Sequence, residues 1–199
     1  MAGLDKHICR KIHVRECKDY DASHLIGAPF PVTLTGGVLE KHCEECNAKA
    51  GHILKNPRQL TRMVAVARAC DDMKLNGSEV RFLRKSINLK AKELAEKLDI
   101  DPAHLSRIEN GHLAISVVLE KLVRSAVCLS FLDEARIVGM DGSSILSMNI
   151  PSVVCSSRIF SLDLRLVEQN NVLHVVGGER SATVSSKSWK DDCEPKIAI

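Results

Sequence analysis

A chain of 199 residues holds one ordinary domain with one or two small modules. Hydrophobic residues at 45% and charged residues at 27% are a globular balance, but aromatics at 3% make the cores aliphatic and exclude large stacking platforms for single strands of nucleic acid. The net charge of +3 is mild and by itself decides nothing, and it suits duplex DNA bound through one short helix if the basic groups cluster on one face.

From Met1 to Lys49 the chain is rich in Cys and His. The basic start MAGLDKHICRK is followed by no apolar run and nowhere do about eighteen apolar residues follow one another, so neither a secretory signal nor a membrane span is expected, and the protein is expected in the cytoplasm. Of eight cysteines, four fall before residue 47, and a reducing compartment favours metal ligation or burial over disulfides. Pro31 to Thr35, a Gly36-Gly37 turn and Val38-Leu39 predict a small hairpin running into Cys43-Glu44-Glu45-Cys46. Asn56-Pro57 marks a helix start, and Leu60, Met63, Val64, Ala67 and Cys70 continue it to about Met73.

After the Asn76-Gly77 break, Ser78 is the expected cap of a helix with Val80, Leu83 and Ile87 on one stripe. Leu94, Ala95 and Leu98 form the apolar face of a second helix from about Lys90 to Leu98. Asp101-Pro102 opens a third, with Leu105 and Ile108, that ends at Asn110-Gly111. Ser116 caps a longer apolar stretch from Val117 to Leu132. Beyond Gly139 the chain turns Ser-rich and β-branched, with alternation over Phe160 to Leu166, a turn at Gln169 to Asn171, a strand from Val172 to Val176, a turn at Gly177-Gly178, and a polar tail around Ser185 to Glu194.

The run SEVRFLRKSINLKAKELAEKLDIDPAHLSRIENG resembles the helix-turn-helix of the lambda-repressor and Cro superfamily, the XRE family. Ala95 falls where the second helix crosses the third, and a small side chain lets them approach. Leu105 and Ile108 are the buried face of the third helix, which leaves Pro102, Ala103, His104, Ser106 and Arg107 free to face DNA. The resemblance implies an ion pair between Arg84 and Glu109, and a DNA surface of Lys90, Lys92, Ala103, His104, Ser106, Arg107 and Asn110. One departure stands out: where many members open the second helix with Ser or Thr and then Gln, this chain has Lys90 and Ala91. Lys90 still reaches a phosphate, but Ala91 cannot supply what the glutamine would, and base readout shifts to the third helix.

Val32-Thr33-Leu34, Cys43 to Cys46, and the helix-turn-helix that follows also resemble regulators of the MqsA-type antitoxin class over roughly residues 9 to 130. That likeness implies a homodimer that represses an operon, its own included, and a protein toxin as partner. The expected fold class is α+β. It comprises a Cys/His-rich, zinc-ribbon-like β module over residues 1–50, a connecting helix over 56–74, an all-α lambda-repressor-like domain over 77–135, and a β-rich region over 140–199. For the module two readings stay open: a structural zinc held by Cys9, Cys17, Cys43 and Cys46, with His7, His13, His42 and His52 as competing donors, or a module without metal. The dimer seam is equally open between the 117–132 segment and the C-terminal β region. No helix-borne His pair, Ser-His-Asp order or phosphate-cradling glycine loop suggests an enzyme. The expected function is a sequence-specific DNA-binding repressor, and the alternative is a partner-binding module that its helix-turn-helix only brings to a promoter.

Overall fold

The computed structural model describes residues 11–54, 56–137, 142–154, 158–169 and 172–184. Cys9 and the polar tail lie outside them. Two sheets flank a helical centre. The first is antiparallel and joins β1 (Ile12–Glu16), β4 (Val38–Cys43) and β5 (Lys49–Leu54) in the order β1-β4-β5. The second joins β2 (Tyr20–Asp21), β3 (Val32–Thr35), β6 (Arg158–Gln169) and β7 (Val172–Val184) in that order, with a short helix α1 (Ser23–Ile26) between β2 and β3. Between the sheets in sequence come α2 (Pro57–Ala69), α3 (Gly77–Ser86), α4 (Ala91–Lys97), α5 (Pro102–Glu109), α6 (Val117–Ser130), α7 (Leu132–Ile137) and α8 (Gly142–Ser147).

The N-terminal hairpin expected from the Gly36-Gly37 turn does not form. Both glycines take positive φ, +82° and +72°, and the chain passes through them from the second sheet into the first. β4 takes β1 and β5 as antiparallel partners, whereas β3 pairs parallel with β6, Val32 opposite Leu162 and Thr35 opposite Arg165. A strand near the start of the chain therefore lies beside one near its end. β3 alternates fully buried Val32 and Leu34 with partly exposed threonines, so its apolar face closes onto the helices. The glycines at 177 and 178 are not a turn. They lie inside β7 opposite Arg165 and Leu164, where the register slips by one residue at a bulge, a place in a strand that suits glycine.

The core is one cluster. Leu60 and Val64 of α2, Val80 and Leu83 of α3, Leu94 and Ala95 of α4, Leu105 and Ile108 of α5, and Val123 and Val127 of α6 are buried with Val32, Leu34, Leu162 and Leu164 of the second sheet. Aromatic residues are few, yet three meet at this junction. The Phe30 ring stands edge-on to Phe82 of α3 at 5.5 Å and to Phe160 of β6 at 4.9 Å, the favoured quadrupole geometry. Cys70 and Cys128 bring their thiol sulfurs to 3.7 Å between α2 and α6. That hydrogen bond and burial push the Cys128 thiol far above its ordinary range.

Helix α2 stops at Ala69 rather than running to Met73, because the chain from Cys70 to Leu75 is gathered by buried charges. Arg124, fully buried on α6, donates to the carbonyls of Ala69 (2.9 Å) and Met73 (2.6 Å), and also to that of Asp71. Arg68 donates to the carbonyls of Met73 (3.1 Å) and Lys74 (3.2 Å) and forks onto Glu79 at 2.8 and 3.0 Å. Fully buried Glu120 accepts from Arg124 at 2.7 Å and from the Leu75 amide at 2.9 Å. The Lys74 ammonium stands 2.7 Å from the other Glu120 oxygen, close enough for an ion pair but not aligned as a hydrogen bond. Burial pulls the Arg124 guanidinium below its usual value, and Glu120 opposes this. Breaking such a group costs more than forming it yields, because the remaining charges stay desolvated. Glu120→Ala strands both Lys74 and Arg124 and is expected to lower stability by about 3 to 5 kcal/mol in urea unfolding. An unchanged midpoint would mean that water already reaches these charges.

Candidate nucleic-acid interface

Helix α3 begins two residues earlier than Ser78 capping would place it. Asn76 is the cap: its Oδ1 accepts from the Glu79 amide at 3.0 Å, and the Glu79 carboxylate accepts from the Asn76 amide at 2.8 Å. This reciprocal box outcompetes Ser78, whose hydroxyl instead donates to Asn76 Oδ1 at 2.6 Å. The early start brings Gly77 against the end of α5. A Cβ at Gly77 would lie 2.2 Å from the Ile108 carbonyl oxygen and 3.0 Å from both the Glu109 carbonyl oxygen and the Gly111 amide, all backbone atoms that cannot swing aside. Only glycine lets the first turn of α3 sit there.

Arg84 joins the same two helices at the other end of α3. Its Nε donates to Glu109 Oε1 at 2.6 Å, its Nη2 to Oε2 at 2.9 Å, and its Nη1 to the Leu89 carbonyl at 2.8 Å. The bidentate geometry is the strong form of this interaction, and it pushes the Arg84 guanidinium above its usual value. Arg84 and Glu109 are both buried. Arg81, one turn earlier, stands 3.4 Å from the same carboxylate and donates to Asn110 Oδ1 at 2.5 Å.

The carboxamide of Asn110 also donates to the Ser106 carbonyl at 2.8 Å and to its hydroxyl at 3.3 Å. Two of the expected DNA-facing residues, Ser106 and Asn110, are thus tied to each other and to Arg81, while both stay exposed. At the start of α5, Asp101 accepts from the Ala103 amide at 2.8 Å. With Leu105, Ile108 and Glu109 turned inward, Ala103, His104, Ser106 and Arg107 face solvent. Ile100, Asp101, Ala103, His104 and Arg107 line an open groove of about 430 Å³. Lys90 occupies the cap position of α4, its amide donating to Glu93 Oε2 at 2.7 Å, and Lys92 is 78% exposed with only a loose approach to Glu96 at 3.9 Å. Fully buried Ala95 lies where α4 and α5 meet. All seven expected DNA residues therefore fall on α5, its C-cap and the first turn of α4, held by one locked scaffold.

Of the four cysteines, Cys17 stands apart from Cys43 and Cys46. Cys9 lies outside the described residues. Ile12 is opposite Cys43, whereas Cys17 bonds through its amide to Val38 at the far end of the same strand pair, so about 16 Å of strand separates Cys17 from Cys43 at roughly 3.3 Å per residue. Zinc thiolates lie at about 2.3 Å from the metal, so Cys17 does not fit a site built on Cys43 and Cys46. Cys43 is buried and Cys46 is exposed. The Cys17 thiol points instead at Glu40 (3.7 Å), and burial with that carboxylate raises its pKa. Of the competing donors, His42 and His52 turn their Nε2 atoms to Glu40 at 3.2 and 3.3 Å, and the His13 ring stacks on His42 at 5.6 Å. The Lys49 ammonium bonds the same carboxylate, and with His42 it holds Glu40 at about 2. Among the described residues no group of His, Cys, Asp or Glu is arranged to hold a metal ion.

The geometry has a counterpart among known families. The model of the helix-turn-helix family matches residues 80–119, from the middle of α3 through α5 into α6. No curated protein and no solved structure matches the chain. The protein carries a DNA-binding helix-turn-helix. Over that segment the chain is similar to XRE-type regulators, which supports a DNA-binding regulatory role; the described fold around it is α+β, and none of the described helices is long and apolar enough to cross a membrane.

The residues that the sequence did not single out are those that shape the site rather than touch DNA. Gly77 and Arg81 had no signal beyond their types, since neither a close approach nor a brace across helices is visible in spacing. Removing the central brace has a measurable cost. Arg84→Ala leaves Glu109 buried beside only the more distant Arg81, and thermal unfolding is expected to show a drop of about 3 kcal/mol. Melting at the wild-type temperature would show that the pair adds nothing to the scaffold.

Proposed function

We propose that the protein is a homodimeric, sequence-specific transcriptional repressor of antitoxin type that acts on its own operon. The observation that carries this reading is the outer face of α5, where Ala103, His104 and Arg107 stand exposed in the first two turns over a braced scaffold, with Lys90 and Lys92 beside them on α4. An α-helix of that kind fits the major groove, where an arginine forks onto guanine O6 and N7, while lysines at a helix start meet phosphate. Ala103 and His104 lie nearest the bases because they open the helix. The antitoxin role rests on the resemblance of the Cys43 to Cys46 segment and the following helices to MqsA-type regulators. Recovery of a small basic protein with the chain from its native host would support that role.

One short helix reads only a few base pairs, and a two-fold dimer doubles the information with half-sites about 34 Å apart or a multiple of this. An exposed stripe on α6 favours that helix as the seam. Val118 (72% exposed), Leu122 (44%) and Leu129 (66%) recur along one side in steps of four and seven residues, the spacing of a coiled-coil seam, and small Ser125 completes the repeat. Monomeric proteins seldom leave such a stripe open.

Two measurements test the reading. On a duplex selected from random sequence, Arg107→Ala or His104→Ala should each cost about 1 to 3 kcal/mol and relax preference at one base pair, whereas Lys90→Ala should weaken all sequences alike and flatten the salt dependence. Unchanged affinity in both α5 variants would remove α5 as the reader. In sedimentation, Leu129→Glu should shift a dimer to monomer, and a wild-type monomer at micromolar concentration would contradict the dimer.

A further inference from the structure

A second basic surface straddles the boundary of the segment matched by the helix-turn-helix family: Lys85 to Asn88 fall within residues 80–119, and the rest of its lining falls outside. Arg58, Thr61 and Arg62 of α2, Lys85 and Ser86 at the end of α3, Ile87 and Asn88 after it, and Ser130 and Phe131 at the end of α6 enclose an open groove of about 520 Å³. Three of these nine residues are cations and none is acidic. Arg58 and Lys85 are exposed, and the Arg62 guanidinium lies 5.5 Å over the Phe131 ring, which fixes one wall. Lys85 and Ser86 come from the C-terminal end of α3, and Ser130 and Phe131 from that of α6. Arg58 comes from neither helix. It is carried in by α2, which precedes the segment that the family matches.

The groove runs on into the DNA surface. Asn88, in the left-handed region at φ +59°, is two residues from Lys90, a span of at most about 7 Å. A nucleic-acid strand whose phosphate sits at Lys90 therefore continues with its next phosphates toward Asn88, Lys85 and Arg58. Phosphate contacts of this kind hold a protein in register without reading sequence.

We propose that this groove binds backbone phosphates of duplex DNA flanking the half-site read by α5, so that α2 lengthens the footprint beyond the helix-turn-helix. The inference rests on α5 being the reader. The occupant is DNA backbone because the charge is complementary and the groove is continuous with Lys90 at the start of α4.

The test uses the full chain and a duplex selected from random sequence, once with its flanks and once cut back to the bases protected at α5. Arg58→Ala with Lys85→Ala should bind the flanked duplex more weakly. The log-log salt slope should fall by about 0.9 for each phosphate that the variant no longer neutralises, equally on a scrambled duplex. On the trimmed duplex, wild type and variant should bind alike. The charge-keeping pair Arg58→Lys with Lys85→Arg should retain the wild-type slope, which separates loss of charge from damage to the fold. Identical affinity and slope for wild type and the alanine pair on the flanked duplex would overturn the proposal while leaving α5 as reader. Failure of His104→Ala and Arg107→Ala to alter binding would instead remove the reading on which it rests.

Discussion

Glu120 has no exposed surface, and its position organises more of this protein than any apolar packing does. Its carboxylate takes the Leu75 amide and the Arg124 guanidinium and faces Lys74, while Arg124 and neighbouring Arg68 collect the carbonyls of the segment between α2 and α3. That segment has no regular structure, and its buried carbonyls would cost roughly 1 to 3 kcal/mol each if left without donors. Two arginines, each with five donors in a rigid fork, meet the need better than water in so closed a place. The same network reaches α3 through Glu79, which caps the helix and binds Arg68 at once. The angle at which α2 meets the helix-turn-helix is thereby set by electrostatics, and oily packing fills in around it.

From that anchor the DNA face follows in order. The Asn76 and Glu79 box fixes where α3 starts, Gly77 lets that start press on the end of α5, and Arg84 clamps the two helices again about two turns along. With α5 held in this way, its outer side chains are carried on a rigid element rather than a loop, which is what precise recognition requires. Arg81 and Asn110 show the same economy, since the brace of the scaffold and the rim of the DNA surface are one hydrogen-bonded set. A substitution in that set would change stability and recognition together.

The three helices of the DNA-binding segment were legible because they obey local rules. Asp101-Pro102 opens α5, Ser116 caps α6 through the Leu119 amide, and Leu105 with Ile108 marks a buried face. What was not legible is non-local. Arg68, Lys74, Glu79, Glu120 and Arg124 are charged, and nothing in their spacing signals burial, yet all are buried because they satisfy one another. Asn76 and Ser78 are both good caps, and only the Glu79 carboxylate decides between them. The parallel pairing of β3 with β6 leaves no trace in either strand, since alternation reports one buried face and never the neighbour. The distance between Cys17 and Cys43 was not legible for a related reason: β1 starts opposite Cys43 and runs away from it toward Cys17, and spacing in sequence carries no sign of that pairing.

That parallel pair also imposes a schedule on synthesis. Val32 and Leu34 need Leu162 and Leu164 beside them, so the second sheet stays incomplete until the chain has been made through β6. The helices from Gly77 to Ser130 have mostly local partners and close long before. At ribosomal speeds of about 5 to 20 residues per second, β3 waits on the order of ten seconds with its apolar edge unpaired. Through that interval the nascent chain already carries a finished helix-turn-helix beside an open strand edge, the kind of edge that other strands add to.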